Sequence, residues 1–539
     1  VTESPENPEK QPHPSRPARN PLDRDPVPPR RSAIAGIEGR LLDPATAITV
    51  NGVVPRSTVY VGPRLVISKS VDLDGALAVL RAVAQPLGWD VVTEEEDPRT
   101  ATLQYGVRGL RIVVASNRAT IAPDGWTLLQ QTRAQFGVEA VSGVGLDHVV
   151  FTAPTEANPF HAGNPFHAGN PFHAGNPFHA GNPFHAGNPF GDGESPISTY
   201  AIPGSGGRQP VAYVGPSPQR GPDGETRRPV VALLDTGCGS HPWLDSVVNT
   251  GVELDGVAIG YDDPADNPEL NGDLSGALDG MIDPMSGHGT FIAGLVHQAC
   301  PDADILSWRV VPSDGPIVES DLIAALAQIA ELARRHRAGE AGGHPIDVLS
   351  LSMGYYHETP EDALFDPTMH DILADLADGG TLVVCSAGND ATSRPSFPAA
   401  FAPWADGAGP FPATASTLPI VSVGALNPNR TSDALFSNAG PWVRAYEPGA
   451  AVVSTMPAFE GGLQPVARTI AFERTREAID PDDFRGGFAV WSGTSFAAPL
   501  LAGRLAAALL DLLDSGDDPA VAIARGWDVL EELTAITPD

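Results

Sequence analysis

The spacing of apolar residues divides the chain into two patterned regions separated by a stretch without such periodicity. Between residues 55 and 155, "TVYVGPRLVIS" and "GLRIVVAS" have the length and β-branched content of strands, whereas "DLDGALAVLRAVAQPLG" carries Leu77, Leu80, Val83 and Leu87 at helical spacing. "GWTLLQQTRAQFG" predicts a second helix ending on Gly137, and the apolar "DHVVFTA" follows it. These elements make a small α+β unit. Ahead of it, residues 1–54 are rich in proline and mixed charge and poor in aromatics, which predicts a disordered tail.

From residue 226 onward the pattern changes. "PVVALLD", "ADILSWRVV", "DVLSLSMG", "TLVVCSAGN" and "LPIVSVGA" are apolar runs of strand length. Between two of them, "SDLIAALAQIAELARRHRAG" predicts a helix with Ser320 as its N-cap. Leu322, Ile323, Leu326 and Ile329 form its apolar face, and Arg334, Arg335 and His336 sit at its C-terminal end. Apolar strands alternating with helices indicate an α/β fold, a mostly parallel sheet covered by helices. That domain spans residues 226–515, with 516–539 as a C-terminal helical tail. In such sheets functional sites form at the carboxyl ends of strands.

The stretch between the two regions, residues 156–225, holds the hexad NPFHAG in tandem, with His161, His167, His173, His179 and His185 at a spacing of six. Asn-Pro and a glycine in every repeat deny a helix. In polyproline II geometry each repeat advances roughly 19 Å, so successive histidines cannot share one metal ion unless the chain folds back. A solvated spacer is the preferred reading; a metal-binding comb and a partner-recognised Asn-Pro-Phe array are the alternatives.

Composition narrows the function. A net charge of −33, with lysine only at Lys10 and Lys69, repels phosphate backbones and argues against nucleic acid as a partner. The arginine bias, with abundant Ala, Gly, Pro and Asp, fits GC-rich coding; a halophile is the alternative. No run of apolar residues is long enough to span a membrane, and the polar first thirty residues do not read as a signal peptide. Cytoplasmic residence is therefore expected for the sequence as given, and secretion if the true N-terminus is missing. Three cysteines, Cys238, Cys300 and Cys385, leave at least one thiol free.

Four candidate residues fall at ends of the apolar runs. "ALLDTGCGSHP" puts Asp235 directly after a strand, and "SGHGTFIAGLVHQA" puts His288 at the head of an apolar helix. "VVCSAGND" ends a strand on Asn389, and "WSGTSFAAPLLAGRLAAALL" opens a helix on Ser495. Singly, these are an ordinary turn Asp, a structural His and a helix-capping Ser. Together, in the order D-T-G, H-G-T-x-x-A-G and G-T-S-F-A-A-P, they resemble the subtilisin-like serine peptidases, the subtilases of peptidase family S8. The stretches "LSLSMG", "SAGND", "FPA" and "FSNAGPWVRAYEPGAAVVST" extend the resemblance over roughly residues 226–512.

The resemblance implies a three-layer subtilisin-like domain and serine endopeptidase activity on proteins or peptides. It implies Ser495 as nucleophile, His288 as general base and acid, and Asp235 as the group that orients the imidazole. Asn389 would donate its amide to the oxyanion, together with the Ser495 backbone N–H. Ser352, Met353 and Gly354 would line one wall of the primary pocket, and Ser386, Ala387 and Gly388 the other. Residues 55–155 have the length and pattern of an inhibitory propeptide, or of an independent accessory domain. No cofactor is required for the chemistry; the acidic "YDDPADNPELNGD" leaves room for structural calcium without matching a defined loop.

Several positions depart from the family pattern. Tyr355 stands where a small residue is usual and could narrow the primary pocket. Asp390 next to Asn389 could favour a basic side chain there, and residues 400–418 and 456–486 read as insertions. A catalytically idle binding or adaptor protein on the same scaffold is the alternative function, and a broken triad would be its mark; none of the four residues is replaced. A sedolisin-like acid peptidase would need a glutamate in place of the His-Gly-Thr block.

Overall fold

The computed structural model describes residues 22–29, 31–50, 52–115, 120–152, 196–222, 224, 226–276, 278–313, 315–359, 367–513 and 518–538. All five repeat histidines, and with them the spacer reading, lie outside the described residues. The larger unit is built on a seven-stranded sheet in which every pairing is parallel. Its order is Ala445–Pro448, Ile420–Leu426, Leu382–Ser386, Val348–Leu351, Val230–Asp235, Asp304–Arg309 and Val248–Asn249. The central strands are buried along their whole length, as the unbroken apolar runs require.

Helices cover both faces. On one, His288–Ala299 and Thr494–Leu509 pack together over a core that includes Phe291, Phe496, Trp491 and Leu505. Gly503 permits their close approach, because a Cβ there would meet the Ala299 side chain and the Val296 backbone. On the other face, Glu319–Arg337 and Thr368–Asp378 bury Leu322, Ile323, Leu326, Ile372 and Leu376. The C-terminal helix Pro519–Leu533 adds Ile523, Trp527 and Leu530 to the first core.

The smaller unit has the order strand, helix, strand, strand, helix, strand. Its elements are Val59–Ser68, Leu73–Ala84, Trp89–Thr93, Val107–Val114, Gly125–Phe136 and Val144–Thr152. The antiparallel sheet runs Val144–Thr152, Val59–Ser68, Val107–Val114, Trp89–Thr93, a split βαβ arrangement with both helices on its apolar face.

Two expectations need correction. Residues 1–54 are not a uniform disordered tail: Arg31–Ile34 is a helical turn, and Gly39–Leu41 pairs with the Val59–Ser68 strand. Their apolar residues Ile34 and Leu42 are buried against the α+β unit, which outweighs the polar composition around them. Ser320 is not the N-cap of its helix. The helix begins at Glu319, and Asp147 of the smaller unit caps it, accepting from Ser320 N at 3.0 Å and from Ser320 Oγ at 2.9 Å.

Candidate active site

Asp235 closes the Val230–Asp235 strand and is 1% exposed. Its Oδ1 accepts from His288 Nδ1 at 2.6 Å and from Thr236 N at 2.8 Å. His288 is the first residue of its helix, and the glycines around it are steric necessities. Gly287 has φ +84° and lies against Met456, while a Cβ on Gly289 would collide with the Gly237 carbonyl. With Nδ1 committed to a carboxylate, the proton sits on that nitrogen and Nε2 is the free base. His288 Nε2 is buried and has no hydrogen-bond partner. The rings of Trp491 and Phe496, 5.5 and 5.2 Å away between centroids, keep the imidazole upright.

Ser495 is the second residue of the helix Thr494–Leu509, and its neighbour Phe496 is the ring packed on His288, so both side chains lie at one end of the sheet. Its Oγ donates to Ser352 O at 3.3 Å, and Ser352 Oγ returns a bond to Ser495 O at 3.0 Å. The hydroxyl rests on the Ser352 carbonyl, and no hydrogen bond joins it to His288. Asn389 is fixed through its oxygen: Thr494 N and Thr494 Oγ1 both donate to Oδ1 at 2.9 Å. A backbone N–H can only donate, so the amide has one orientation, and Nδ2 is left buried and unpartnered. The helix start beside it adds backbone N–H groups without intrahelical acceptors. Together they make a cluster of donors beside Ser495.

Three contributors lie outside the candidate residues singled out in the sequence. Glu269 belongs to the acidic loop considered for calcium and is 2% exposed behind the Asp–His pair. It accepts from Thr290 Oγ1 at 2.5 Å, from Gly289 N at 2.9 Å and from Thr236 Oγ1. Burial is the main cause that pushes its pKa up, to about 7, against the pull of these donors. Asn438 is fully buried and ties Ala387 O to the backbone N–H groups of Asp390 and Thr392, shaping the turn that carries Asn389. Tyr356 donates to Asp390 Oδ2 at 2.7 Å, so that carboxylate is already engaged by a phenol. The Tyr355 side chain is buried against the smaller unit. Its ring stacks on His148 of the smaller unit at 4.6 Å.

Met353–Gly354 is a strand edge, and it is occupied. Thr152 pairs with Met353 and Phe151 with Gly354, antiparallel, while Val149 and Val150 pair with Val318 and Ile317 on the other side. The last strand of the smaller unit therefore lies between two edges of the larger one. His148 joins the two units from within: Nδ1 is 2.7 Å from Glu319 Oε2, and Nε2 is 2.9 Å from Glu358 Oε2. Burial lowers its pKa, but the two carboxylates override this and lift it to about 10. On the opposite wall, Ser386 and Ala387 are buried and Gly388 N donates to Thr494 Oγ1 at 3.1 Å. Further along, Arg24 Nη2 donates to Asp390 O and Leu22 O accepts from Ser393 N.

Among the described residues, His148, His357 and Glu358 are the one group whose ligating atoms lie within reach of a common metal ion. Those atoms are already used: Nε2 of His148 meets Glu358, and Nδ1 of His357 accepts from Thr359 N at 3.1 Å. In the loop considered for calcium, Asp263 caps a short helix, Asp266 pairs with Arg309 and Asp273 accepts from Gly280 N. Cys238 is packed beside the site, and burial pushes its thiol well above the usual range.

No helix among the described residues is long and apolar enough to cross a membrane. The model of the subtilase family matches residues 226–517. The intracellular serine protease of Paenibacillus polymyxa is 26% identical over 291 residues, which cover 51% of this chain and 65% of that protein. The major intracellular serine protease of Bacillus subtilis (strain 168) is 26% identical over 242 residues, covering 42% and 60%. The chain thus spans less than two thirds of the length of these relatives. Fervidolysin from Fervidobacterium pennivorans, a keratinolytic enzyme related to subtilisin, superposes with a TM-score of 0.42 at 17% identity, covering 87% of this chain and 59% of that one. The family match covers more than half of the chain and contains Asp235, His288, Asn389 and Ser495: the chain belongs to the subtilase family.

Proposed function

We propose that the chain is a serine endopeptidase that cleaves extended peptide through an acyl-enzyme, with Ser495 as nucleophile, His288 as base and acid, Asp235 as orienting group and Asn389 as oxyanion donor. The observation that carries this reading is a pair of unsatisfied buried groups, His288 Nε2 and Asn389 Nδ2, flanking the helix end that bears Ser495. An acceptor for a proton and a donor for an oxyanion, both desolvated and both fixed by their opposite atoms, are what acyl transfer requires. Ser495 Oγ attacks the carbonyl carbon while its proton passes to Nε2. The negative charge on the carbonyl oxygen then meets Nδ2 and the Ser495 N–H. The protonated imidazole returns the proton to the leaving amine, and water repeats the sequence on the ester.

The same reading extends to the smaller unit. Its strand Val144–Thr152 fills the edges that a substrate would pair with, so residues 55–152 act as an intramolecular inhibitor until the connection to residue 226 is cut. Mass spectrometry of the termini after incubation tests both parts. The wild-type chain yields a new N-terminus between residues 153 and 226, and Ser495→Ala does not. An identical cut in both chains removes the self-processing reading.

A further inference from the structure

We propose that Glu319 and Glu358 form a cation-selective subsite of the substrate groove, taking an arginine, lysine or histidine side chain at the sixth residue before the scissile bond. The proposal rests on the peptidase reading above and names a substrate class for it. Its starting observation is that Val144–Thr152 runs through the groove as an extended strand, paired on both edges. Side chains alternate along a strand, so His148, Val150 and Thr152 share one face. All three are buried: Thr152 Oγ1 reaches Met285 Sδ, Val150 enters the apolar core with Ile317 and Met353, and His148 enters the two carboxylates.

The register gives the position. Thr152 lies opposite Met353, so the next residue of a peptide in the same register lies opposite Ser352, whose carbonyl receives the Ser495 hydroxyl. That residue donates the carbonyl to be attacked. Counting back from it, the place of Thr152 is second, that of Val150 fourth and that of His148 sixth.

The chemistry of the subsite follows from which groups stay. Glu319 opens the helix Glu319–Arg337 and Glu358 follows the substrate edge, so both belong to the catalytic unit. Arg133, 3.7 Å from Glu358, lies on the smaller unit and leaves with it, as does Arg64, which serves Asp147. The ion pairs that Glu319 and Glu358 make among the described residues are with His148, Arg133 and His357. Burial holds His357 neutral, with its pKa down at about 3. Glu319 and Glu358, one at each ring nitrogen of His148, then keep no ion-pair partner but His357 among the ion pairs of the described residues, and they lie beside the Tyr355 ring that stacks on His148. A guanidinium or imidazolium presents N–H groups to both carboxylates, an ammonium pairs with one of them, and each gains a cation–π contact; a neutral or acidic side chain does neither.

The test is the cleavage profile of the intact chain on a peptide library of random sequence, with Ser495→Ala as blank. The expected result is at least a five-fold enrichment of Arg, Lys and His at the sixth residue before the cut. In the double variant E319Q/E358Q that enrichment disappears while preferences at other positions persist. Cutting without basic enrichment at that position overturns the subsite and leaves the peptidase reading standing. No cutting above the Ser495→Ala blank overturns the peptidase reading and the subsite with it. The wild-type profile decides alone if the double variant does not fold.

Discussion

At the scale of single residues, the candidate site is organised by threonines close in sequence to Asn389's partner helix, Asp235 and His288. Thr494 fixes the Asn389 amide, while Thr236 and Thr290 connect Asp235 and the helix of His288 to Glu269. Glu269 is a second buried carboxylate behind the Asp–His pair, and its charge is costly there. Its pKa in the fold, about 7, is above the ordinary value of 4.5. A raised carboxyl pKa stabilises the fold fully below the unfolded value, and that contribution is lost as pH rises through the folded one. In the Ser495→Ala chain, unfolding free energy should therefore fall between about pH 4.5 and pH 7, by on the order of 3 kcal/mol from this group. Glu269→Gln, which cannot ionise, should remove that slope; denaturant titrations across this range check it, and an unchanged slope contradicts the assignment.

At the scale of elements, the decisive piece is the Val144–Thr152 strand, because it belongs to one unit by sheet pairing and to the other by its edge contacts. Its His148 faces Glu319, Glu358, His357 and Tyr355 from the catalytic unit, with Arg133, Asp147 and Arg64 from its own unit close by. The docked pKa of about 10 exceeds the ordinary 6.5, so docking binds a proton. The contribution of His148 is full below about pH 6.5 and declines as pH rises toward 10. Asp147, pushed by burial up to about 6, works in the same direction at lower pH. Wild-type chain should thus be at least ten-fold less active than His148→Gln on a short peptide at pH 6, with the gap closing toward pH 10. Taking the ratio cancels the titration of the catalytic groups themselves, and a ratio constant with pH contradicts a role for His148 in holding the strand docked. The pairing of this strand was not legible in the sequence. "DHVVFTA" announces an apolar strand, but not that Asp147 and His148 within it are buried against Ser320, Glu319 and Glu358 from residues far along the chain.

At the scale of the whole molecule, the α/β unit was legible because its strands are continuous apolar runs and its catalytic blocks carry their own glycines. Gly287, Gly289 and Gly388 each stand where a Cβ would collide with a neighbouring segment or where φ is positive. The roles of Glu269 and Asn438 were not legible: Glu269 lies in an acidic loop and Asn438 in a stretch that does not disclose its partners, and the burial of each depends on long-range packing that no local periodicity encodes. The ordered part of the N-terminal tail was hidden for the converse reason, since isolated apolar residues such as Ile34 and Leu42 give no periodic signal. All of these features converge on one claim, that Ser495 is activated by His288 within a field of preset donors. The direct measurement is covalent labelling of the chain by a small alkyl fluorophosphonate after its termini have stopped changing, with the adduct located by mass spectrometry. The expected result is an adduct on Ser495, formed at least a thousand-fold more slowly in His288→Ala and roughly 10²–10³-fold more slowly in Asn389→Ala, the order of cost of removing one oxyanion donor. An adduct elsewhere, or a labelling rate indifferent to His288, would contradict it.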